Sequence, residues 1–278
     1  MPISPADFTL VRELSQRHAG IVLEPGKEYL AEARLTPLAR TLGFADLSEL
    51  LARARTPGQS ALVAKIVEAM TTNETSFFRD VLPFEVLRTT IIPALIEARR
   101  TQKRLSIWYC ASSTGQEPYS VSMLLREHFP ELRGWDVRQF ATDISPQVLA
   151  RARAGRYNSL EVNRGLPVNY LLKYFSKVDN DWQLNDEILR MVRFEELNLV
   201  NVLPPMGPYD IVFLRNVMIY FDVPIKKQIL SGVRRMLRPD GYLFLGAAET
   251  TLKLDDAFAR EVNDRSGCYR LRSTAVAV

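Results

Sequence analysis

Short apolar segments alternate with helical patterns in the second part of this chain, and this alternation restricts the fold more than any other feature. The segments at residues 105–110, 137–142 and 209–214 are apolar runs bounded by small, polar or acidic residues, as buried strands are. A fourth segment, 242–245, follows the turn signal Pro239-Asp240-Gly241. Because helical patterns separate the strands, the sequence predicts an α/β fold with a doubly wound, parallel sheet.

The helices between these strands are expected at residues 118–129, 146–154 and 224–237. Asp222 is the expected N-cap of the last one. Between residues 155 and 194 the alternation breaks into a short helix, 168–174, and turn-rich sequence, which predicts a small β-containing insertion. Residues 258–262 and 268–271 are expected to form a β-hairpin.

The first eighty residues carry helical patterns and no strand pattern. Ser4 followed by Pro5 is a helix start, with apolar residues at helical spacing after it. Further helices are expected at residues 29–42, 47–54 and 61–70. The sequence therefore predicts an N-terminal helical domain and linker at residues 1–80 and an α/β domain at residues 81–278.

Composition and charge exclude several classes of protein. The net charge is +4 and the pI about 9.1, but lysine and arginine form no long runs, so no nucleic-acid partner is expected. The two cysteines, Cys110 and Cys268, and the two histidines, His18 and His128, lack the spacing of a metal site, and no metal is expected. The chain shows neither a signal-peptide pattern nor an apolar stretch of membrane-spanning length. We expect a cytoplasmic monomer without membrane insertion.

Residues 70–80, Met-Thr-Thr-Asn-Glu-Thr-Ser-Phe-Phe-Arg-Asp, form a dense run of hydrogen-bonding side chains just before the first strand–turn–helix unit. One interpretation is a helix N-cap, with Phe77 and Phe78 packed inward. The other is a segment that lines a ligand site, because a helix with only a packing role does not need so many polar groups. We favour the second.

The loop after the first strand, residues 111–118, consists of small residues and ends with Glu117 at a helix start. Ligands of open α/β sheets bind at this edge, and small residues allow close approach to the backbone. A carboxylate there would repel a pyrophosphate and attract an ammonium group. The alternative, which this residue alone supports equally well, is that Glu117 serves merely to complement the helix dipole.

Asp143 ends the second predicted strand, at the same edge of the sheet. A carboxylate in this place can accept hydrogen bonds from both hydroxyls of a ribose. The alternative is a turn or N-cap residue, but Ser145-Pro146 already supplies a cap. Glu117 and Asp143 together fit S-adenosylmethionine, one carboxylate for its amino group and one for its ribose.

Arg215 and Asn216 follow the third strand directly and so fall on this edge too. Tyr220 and Phe221 come a few residues later, and their positions leave open whether they are core aromatics or site residues.

Four segments of the chain resemble the CheR family of chemotaxis receptor methyltransferases. They are residues 72–79 (TNETSFFR), 113–120 (STGQEPYS), 141–144 (ATDI) and 215–221 (RNVMIYF). Their order and spacing match too, and the resemblance covers nearly the whole chain. It implies a class I methyltransferase sheet, and transfer of a methyl group from S-adenosylmethionine to glutamate side chains in the cytoplasmic domain of a chemoreceptor, with S-adenosylhomocysteine as product.

The resemblance also implies roles for the matching positions. Glu117 would bind the amino group of the cofactor and Asp143 its ribose. Arg79 and Tyr220 would lie nearest to the transferred methyl, as the catalytic residues. Arg79 would also line the cofactor site, together with Asn73, Thr75, Asn198, Leu199, Arg215 and Asn216.

Two departures from the family bear on the partner. Members often carry a strongly basic second helix that faces the receptor, but residues 27–40 are mixed in charge and contain Pro37. Members that bind the C-terminal pentapeptide tether of a receptor have a longer, glycine-containing loop in the insertion, whereas residues 176–186 contain no glycine. We therefore expect a weaker docking helix and no appreciable tether binding.

Three other functions are compatible with parts of the pattern. A methyltransferase could act on a small carboxylate or on another protein. A cofactor-sensing scaffold could keep the fold without turnover, although the intact Arg79, Glu117, Asp143 and Tyr220 argue against it. A nicotinamide-linked dehydrogenase is disfavoured because the glycine fingerprint G-x-G-x-x-G is missing.

Overall fold

The computed structural model of the protein describes residues 2–261 and 265–272. The N-terminal part is helical, as expected, with the helices α1 (Pro5–Ala19), α2 (Glu28–Thr41), α3 (Leu47–Ala54) and α4 (Ser60–Met70). Ser4 is the N-cap of α1, and its hydroxyl accepts from the backbone N–H of Asp7 at 3.1 Å. The four helices enclose their own apolar core, which includes Val11, Leu35 and Leu50.

The remaining described residues contain ten strands. They are β1 (Arg104–Cys110), β2 (Asp136–Asp143), β3 (Arg156–Asn158), β4 (Phe175–Val178), β5 (Asp181–Leu184), β6 (Val192–Glu196), β7 (Tyr209–Leu214), β8 (Leu237–Leu245), β9 (Phe258–Arg260) and β10 (Cys268–Leu271). Seven of these strands form one sheet in the order β6-β2-β1-β7-β8-β10-β9. The pairs among β6, β2, β1, β7 and β8 are parallel, while β10 is antiparallel to both β8 and β9. The predicted α/β sheet is confirmed, with one antiparallel strand.

Helices cover both faces of this sheet. The helices that follow the linker are α5 (Leu82–Val86), α6 (Ile92–Ala98), α7 (Gln116–His128), α8 (Pro146–Ala154), α9 (Ser159–Asn163), α10 (Val168–Tyr174), α11 (Asp186–Leu189) and α12 (Val223–Met236), with a π-helical turn at Leu87–Ile91. Alternate residues of β1 face opposite layers: Ile107 and Tyr109 join one core, and Trp108 and Cys110 the other.

The insertion contains a three-stranded antiparallel sheet, in the order β3-β5-β4, within the described residues. Strand β6 was not predicted: it begins inside the predicted insertion, residues 155–194, but pairs with β2 in the main sheet. Its alternating apolar and charged residues, Val192 and Phe194 buried among exposed neighbours, are the pattern of an edge strand.

The turn predicted at Pro239-Asp240-Gly241 is wrong. The chain passes from α12 into β8 at Leu237. The pairing of β7 with β8 shifts in register between Tyr209, which pairs with Leu237, and Ile211, which pairs with Tyr242, and residues 238–241 lie within this shift. The C-terminal hairpin, β9 with β10, is confirmed where it is described, whereas Val262 lies outside the described residues. Across residues 2–261 and 265–272, no helix combines the length and apolarity needed to cross a membrane.

Asp210 holds together the end of the sheet that is opposite to the predicted site. Its carboxylate is buried and accepts from Arg99 Nε at 2.8 Å and from the backbone N–H and hydroxyl of Ser106 at 2.8 and 2.9 Å. Arg238 Nε lies 3.1 Å away. β7, β1 and the segments around them are thus joined through one ionised group.

Asp210→Asn should destabilise the fold by about 3 kcal/mol, because the amide turns its own N–H groups toward buried donors and removes one of the two carboxylates that pair with the buried Arg99. The measurement is the urea midpoint of unfolding. Asp186→Asn, which removes an exposed pair with Arg190, is the control and should leave the midpoint unchanged. Equal midpoints for Asp210→Asn and the wild type would contradict this assignment.

Candidate functional site

A cleft with about 930 Å³ of empty volume lies at the carboxyl edge of the parallel strands. It is bounded by the loops after β1, β2, β6 and β7, by the linker after α4 and by the end of α1. The structure brings all the sequence-predicted site residues into its lining: Asn73, Thr75, Arg79, Glu117, Asp143, Asn198, Leu199, Arg215, Asn216 and Tyr220.

The loop after β1 is held in a strained conformation. Ala111 and Ser113 adopt φ values of +53° and +50°, in the left-handed region that residues with a Cβ seldom occupy. The hydroxyl of Ser112 is buried, lines the cleft and has no hydrogen-bond partner among the described residues. Such strain and an unpaired buried polar atom are typical of a ligand site.

Asp143 organises two loops at the floor of the cleft. Its carboxylate accepts from the backbone N–H of Ser113 at 2.9 Å and from that of Ser145 at 3.0 Å. Burial raises the pKa of Asp143, and these backbone hydrogen bonds oppose the rise. The N-cap of α8 is Ser145, which accepts from Val148, so Asp143 is not a helix cap.

Glu117, in the first turn of α7, is paired with Arg215 from the end of β7. Arg215 is buried, with 2% of its side chain exposed, and Glu117 is partly buried, with 14% of its side chain exposed. Burial raises the pKa of Glu117, and the charge of Arg215 opposes that rise. Glu117 therefore does more than complement the helix dipole.

Arg215 also fixes the linker that precedes the sheet. Its Nη2 lies 2.7 Å from a carboxylate oxygen of Asp80 and donates to the carbonyl of Arg79 at 3.1 Å. The linker residues Phe78, Asp80 and Val81 adopt φ values of +47°, +69° and +48°. No helix begins in residues 71–80, so the N-cap interpretation is wrong, although Phe77 is fully buried.

Arg79 reaches the cleft from this linker. Its Nη2 lies 3.0 Å from Oε2 of Glu74, and its Nη1 donates to the carbonyl of Glu74 at 3.2 Å. Asn73 accepts at its backbone carbonyl from the hydroxyl of Ser113 at 2.7 Å, which joins the linker to the loop after β1. Thr75, which lies between Asn73 and Arg79 in the chain, is half-buried.

The end of α1 forms another wall, which the sequence analysis did not foresee. Ala19 and Ile21 line the cleft, and Asn198 donates to the carbonyl of His18 at 2.6 Å. Gly20, at φ +68°, lies so close to the α/β domain that a Cβ would come within 2.6 Å of Val200. No local pattern marks these residues, because apolar residues after a helix end resemble ordinary core.

The backbone N–H of Val22 donates to the carbonyl of Tyr220 at 2.9 Å, so the segment after α1 also contacts the loop after β7. The half-buried ring of Tyr220 packs against the core of the helical domain as well as that of the sheet. Tyr220 is therefore both a packing residue and a residue of the cleft.

The sequence analysis also missed Glu249, which shapes the loop after β7. Its Oε2 accepts from the backbone N–H groups of Asn216 and Gly246 at 2.8 and 2.7 Å, and its Oε1 accepts from Met218 and Ile219 at 2.7 and 3.3 Å. Asn216 is held at φ +58° beside it. A Cβ on Gly246 would lie 2.8 Å from Glu249 Oε2, so only glycine fits.

The donor set of the cleft fits S-adenosylmethionine. Two carboxylates, of Glu117 and Asp143, provide acceptors for an ammonium group and for ribose hydroxyls. Apolar side chains of Ile21, Ile144 and Leu199 line the same cleft and suit an adenine ring. The unpaired hydroxyl of Ser112 can bind a further polar atom of the ligand.

Sequence profiles of one family match most of the chain. The profile described as "CheR methyltransferase, SAM binding domain" matches residues 73–266, and that described as "CheR methyltransferase, all-alpha domain" matches residues 6–71. The first covers the sheet, the insertion and much of the cleft, and the second covers the helices α1 to α4.

Curated proteins similar to the chain are chemotaxis methyltransferases. Chemotaxis protein methyltransferase 1 of Pseudomonas aeruginosa is 42% identical over 263 residues, which cover 93% of this chain and 95% of that protein. Chemotaxis protein methyltransferase Cher2 of Pseudomonas putida is 40% identical over 257 residues, which cover 91% and 93%. Chemotaxis protein methyltransferase of Vibrio parahaemolyticus is 38% identical over 259 residues, which cover 92% and 93%.

Glu249→Gln should weaken the binding of S-adenosylhomocysteine about tenfold and lower Tm by a few degrees, because the amide turns its own N–H groups toward backbone donors. The measurements are calorimetric titration and a thermal melt.

Glu97→Gln is the control, because Glu97 makes only an exposed pair with Arg100. Unchanged ligand affinity in Glu249→Gln would show that Glu249 does not hold the loop in its binding conformation.

Proposed function

Because the chain belongs to the CheR methyltransferase family, we propose that the cleft residues divide into a cofactor set and an acceptor set. The expectations of a methyltransferase in chemotaxis, with S-adenosylmethionine as cofactor and glutamate as the acceptor of the family, are confirmed by this membership. The roles of individual residues, the receptor contacts and the domain limits at residues 1–80 and 81–278 are the proposal.

The cofactor set holds the two ends of S-adenosylmethionine. Glu117, paired with Arg215, would also bind the ammonium group, and Asp143 would accept from the ribose with the lone pairs that Ser113 and Ser145 leave free. Leu199 would pack on the adenine. Asn198 fixes the loop after β6 through its hydrogen bond to the carbonyl of His18. When bound, the cofactor supplies a methyl group activated by an adjacent sulfonium charge.

Asn73, Thr75 and Asn216 complete the wall around the cofactor. Asn73 is joined to the loop after β1 through Ser113, and Asn216 is fixed by Glu249 at the opposite side of the cleft. These contacts let the polar side chains approach the ligand without a change in the backbone.

The acceptor set is Arg79 and Tyr220. A glutamate side chain is already ionised near neutral pH, so the reaction needs no general base. Arg79 binds one oxygen of the acceptor carboxylate, and the Tyr220 hydroxyl orients it so that the other oxygen faces the methyl group. Alignment in an enclosed site then supplies most of the catalysis.

One observation carries this proposal: a guanidinium, Arg79, lines the same cleft as the carboxylates Glu117 and Asp143. The carboxylates suit a cationic cofactor and the guanidinium an anionic acceptor, so the reactants are brought together by opposite charges.

Arg79→Lys and Tyr220→Phe should each lower kcat/KM for a receptor cytoplasmic fragment at least tenfold, because a point charge or a ring without hydroxyl orients a carboxylate less well. Steady-state methyl transfer measures this, and titration with S-adenosylhomocysteine should show little change. Full kcat/KM in both variants would refute the acceptor assignment, and failure of Asp143→Ala to weaken the titration would refute the cofactor assignment.

In this proposal the enzyme is a cytoplasmic monomer, and its partner is the cytoplasmic domain of a chemoreceptor. The basic charge of α2 is weaker than its sequence indicates, because Arg34 points inward. Its Nη1 donates to the carbonyls of Met70 and Thr71, and its Nη2 donates to the Thr72 hydroxyl at 2.8 Å. The docking face on α2 is consequently small.

Binding of a receptor pentapeptide tether should be absent. Strands β4 and β5 are joined by only Asp179 and Asn180, which leaves no long loop for an extra strand to contact. Calorimetric titration with the C-terminal pentapeptide of a receptor should give no binding, while S-adenosylhomocysteine binds in the same preparation. Micromolar affinity for the pentapeptide would contradict the expectation.

A further inference from the structure

Arg79, the residue proposed to receive the acceptor carboxylate, already holds a carboxylate. Glu74 Oε2 lies 3.0 Å from Arg79 Nη2, and both side chains line the cleft. The carbonyl of Glu74 accepts from the second terminal nitrogen of the same guanidinium. A glutamate of the chain itself therefore occupies the group that an acceptor glutamate needs.

Glu74 has a second partner on its other side. Its Oε1 is paired with Nη2 of Arg164, which follows α9 in the insertion. Glu74 and Arg164 both line a polar groove that shares the residues Asn73, Glu74 and Thr75 with the cofactor cleft. The Glu74 side chain thus stands between cleft and groove and bridges one guanidinium in each.

The exposure of these side chains makes the bridge exchangeable. The Arg79 side chain is 29% exposed, that of Glu74 41% and that of Arg164 62%. Ion pairs with this much contact with water contribute little to stability, so an incoming carboxylate can replace one of them at small cost. After replacement Glu74 keeps its pair with Arg164, and no charge is left without a partner.

We infer that Glu74 is an internal competitor of the acceptor glutamate for Arg79, and that Arg164 is the partner that retains Glu74 once the acceptor has bound. The inference rests on the proposed role of Arg79. The binding free energy of an acceptor carboxylate at Arg79 is only the difference between its own ion pair and the Glu74 ion pair that it replaces. A carboxylate that makes no further contacts with the enzyme is therefore bound weakly. Glu74 is in this way a specificity-determining residue.

Glu74→Gln removes the competing charge and keeps the size of the side chain. With a receptor cytoplasmic fragment as acceptor, KM should fall about two- to fivefold, the range that an exposed ion pair allows. Meanwhile kcat should stay within about twofold, and the affinity for S-adenosylhomocysteine should not change. Glutarate, a small dicarboxylate, should inhibit receptor methylation more strongly in the variant than in the wild type.

Glu161→Gln is the matched control. Glu161 lines the same polar groove and pairs with Arg151, but it makes no contact with Arg79, and glutamine can keep its capping box with Asn158. The charge change is identical, so its KM should equal that of the wild type. A fall in KM equal to that of Glu74→Gln would show a general charge effect and overturn the inference.

Arg164→Gln completes a double-mutant cycle. Without Arg164, Glu74 holds Arg79 more tightly, so KM should rise, and this rise should vanish in the Glu74→Gln background. If Arg164→Gln raises KM equally in both backgrounds, Arg164 contacts the receptor directly, and the proposed retention of Glu74 by Arg164 is wrong.

Two results for Glu74→Gln alone also overturn the inference: a KM that is unchanged or higher, and a lower kcat at constant KM, which would make Glu74 a residue that positions Arg79. Failure of the proposed function is recognised separately, because Arg79→Lys would then keep the wild-type kcat/KM whatever Glu74 does.

Discussion

The geometry of the cleft depends on the buried side chain of Arg215. Its guanidinium pairs with Glu117 from α7 and with Asp80 from the linker, and it donates to the carbonyl of Arg79. A buried guanidinium is unfavourable unless acceptors face it, and here the two terminal nitrogens are matched while Nε has no hydrogen-bond partner among the described residues. The planar fork can hold two carboxylates in different directions. The end of β7 thereby fixes the first turn of α7 and the linker together, and with them the place from which Arg79 enters the cleft.

The linker keeps an unfavourable backbone because its neighbours hold it in place. Phe78 has a positive φ value, as do Asp80 and Val81, and Val81 is a β-branched residue that seldom adopts one. The buried ring of Phe77 anchors the segment, and the N–H of Phe78 donates to the hydroxyl of Ser120 on α7 at 3.0 Å. Strain of this kind persists only where packing and ion pairs oppose its relaxation, and here both act on the residues next to Arg79.

The sequence predicts most of the fold and of the cleft where local chemistry decides the outcome. Apolar runs identified β1 and β7, and side chains that follow parallel strands must share one edge, which located Glu117, Asp143 and Arg215. Glu249 could not be predicted because its role depends on backbone N–H groups some thirty residues away in the chain. Ala19 and Ile21 escaped for a similar reason, since only the docking of the helical domain against the α/β domain brings them to the cleft.

Burial separates the two arginines of the cleft into a fixed one and an exchangeable one. Only 2% of the Arg215 side chain is exposed, so removing either of its carboxylates would leave charge in a poorly solvated place. The Arg79 side chain is 29% exposed and its partner Glu74 41%, so water can compensate while one carboxylate replaces another. The same ion-pair chemistry is therefore structural at Arg215 and, in the proposed function, provides a binding group at Arg79. Because Arg215 also binds the carbonyl of Arg79, the proposed exchange at the guanidinium would leave the backbone of the linker in place.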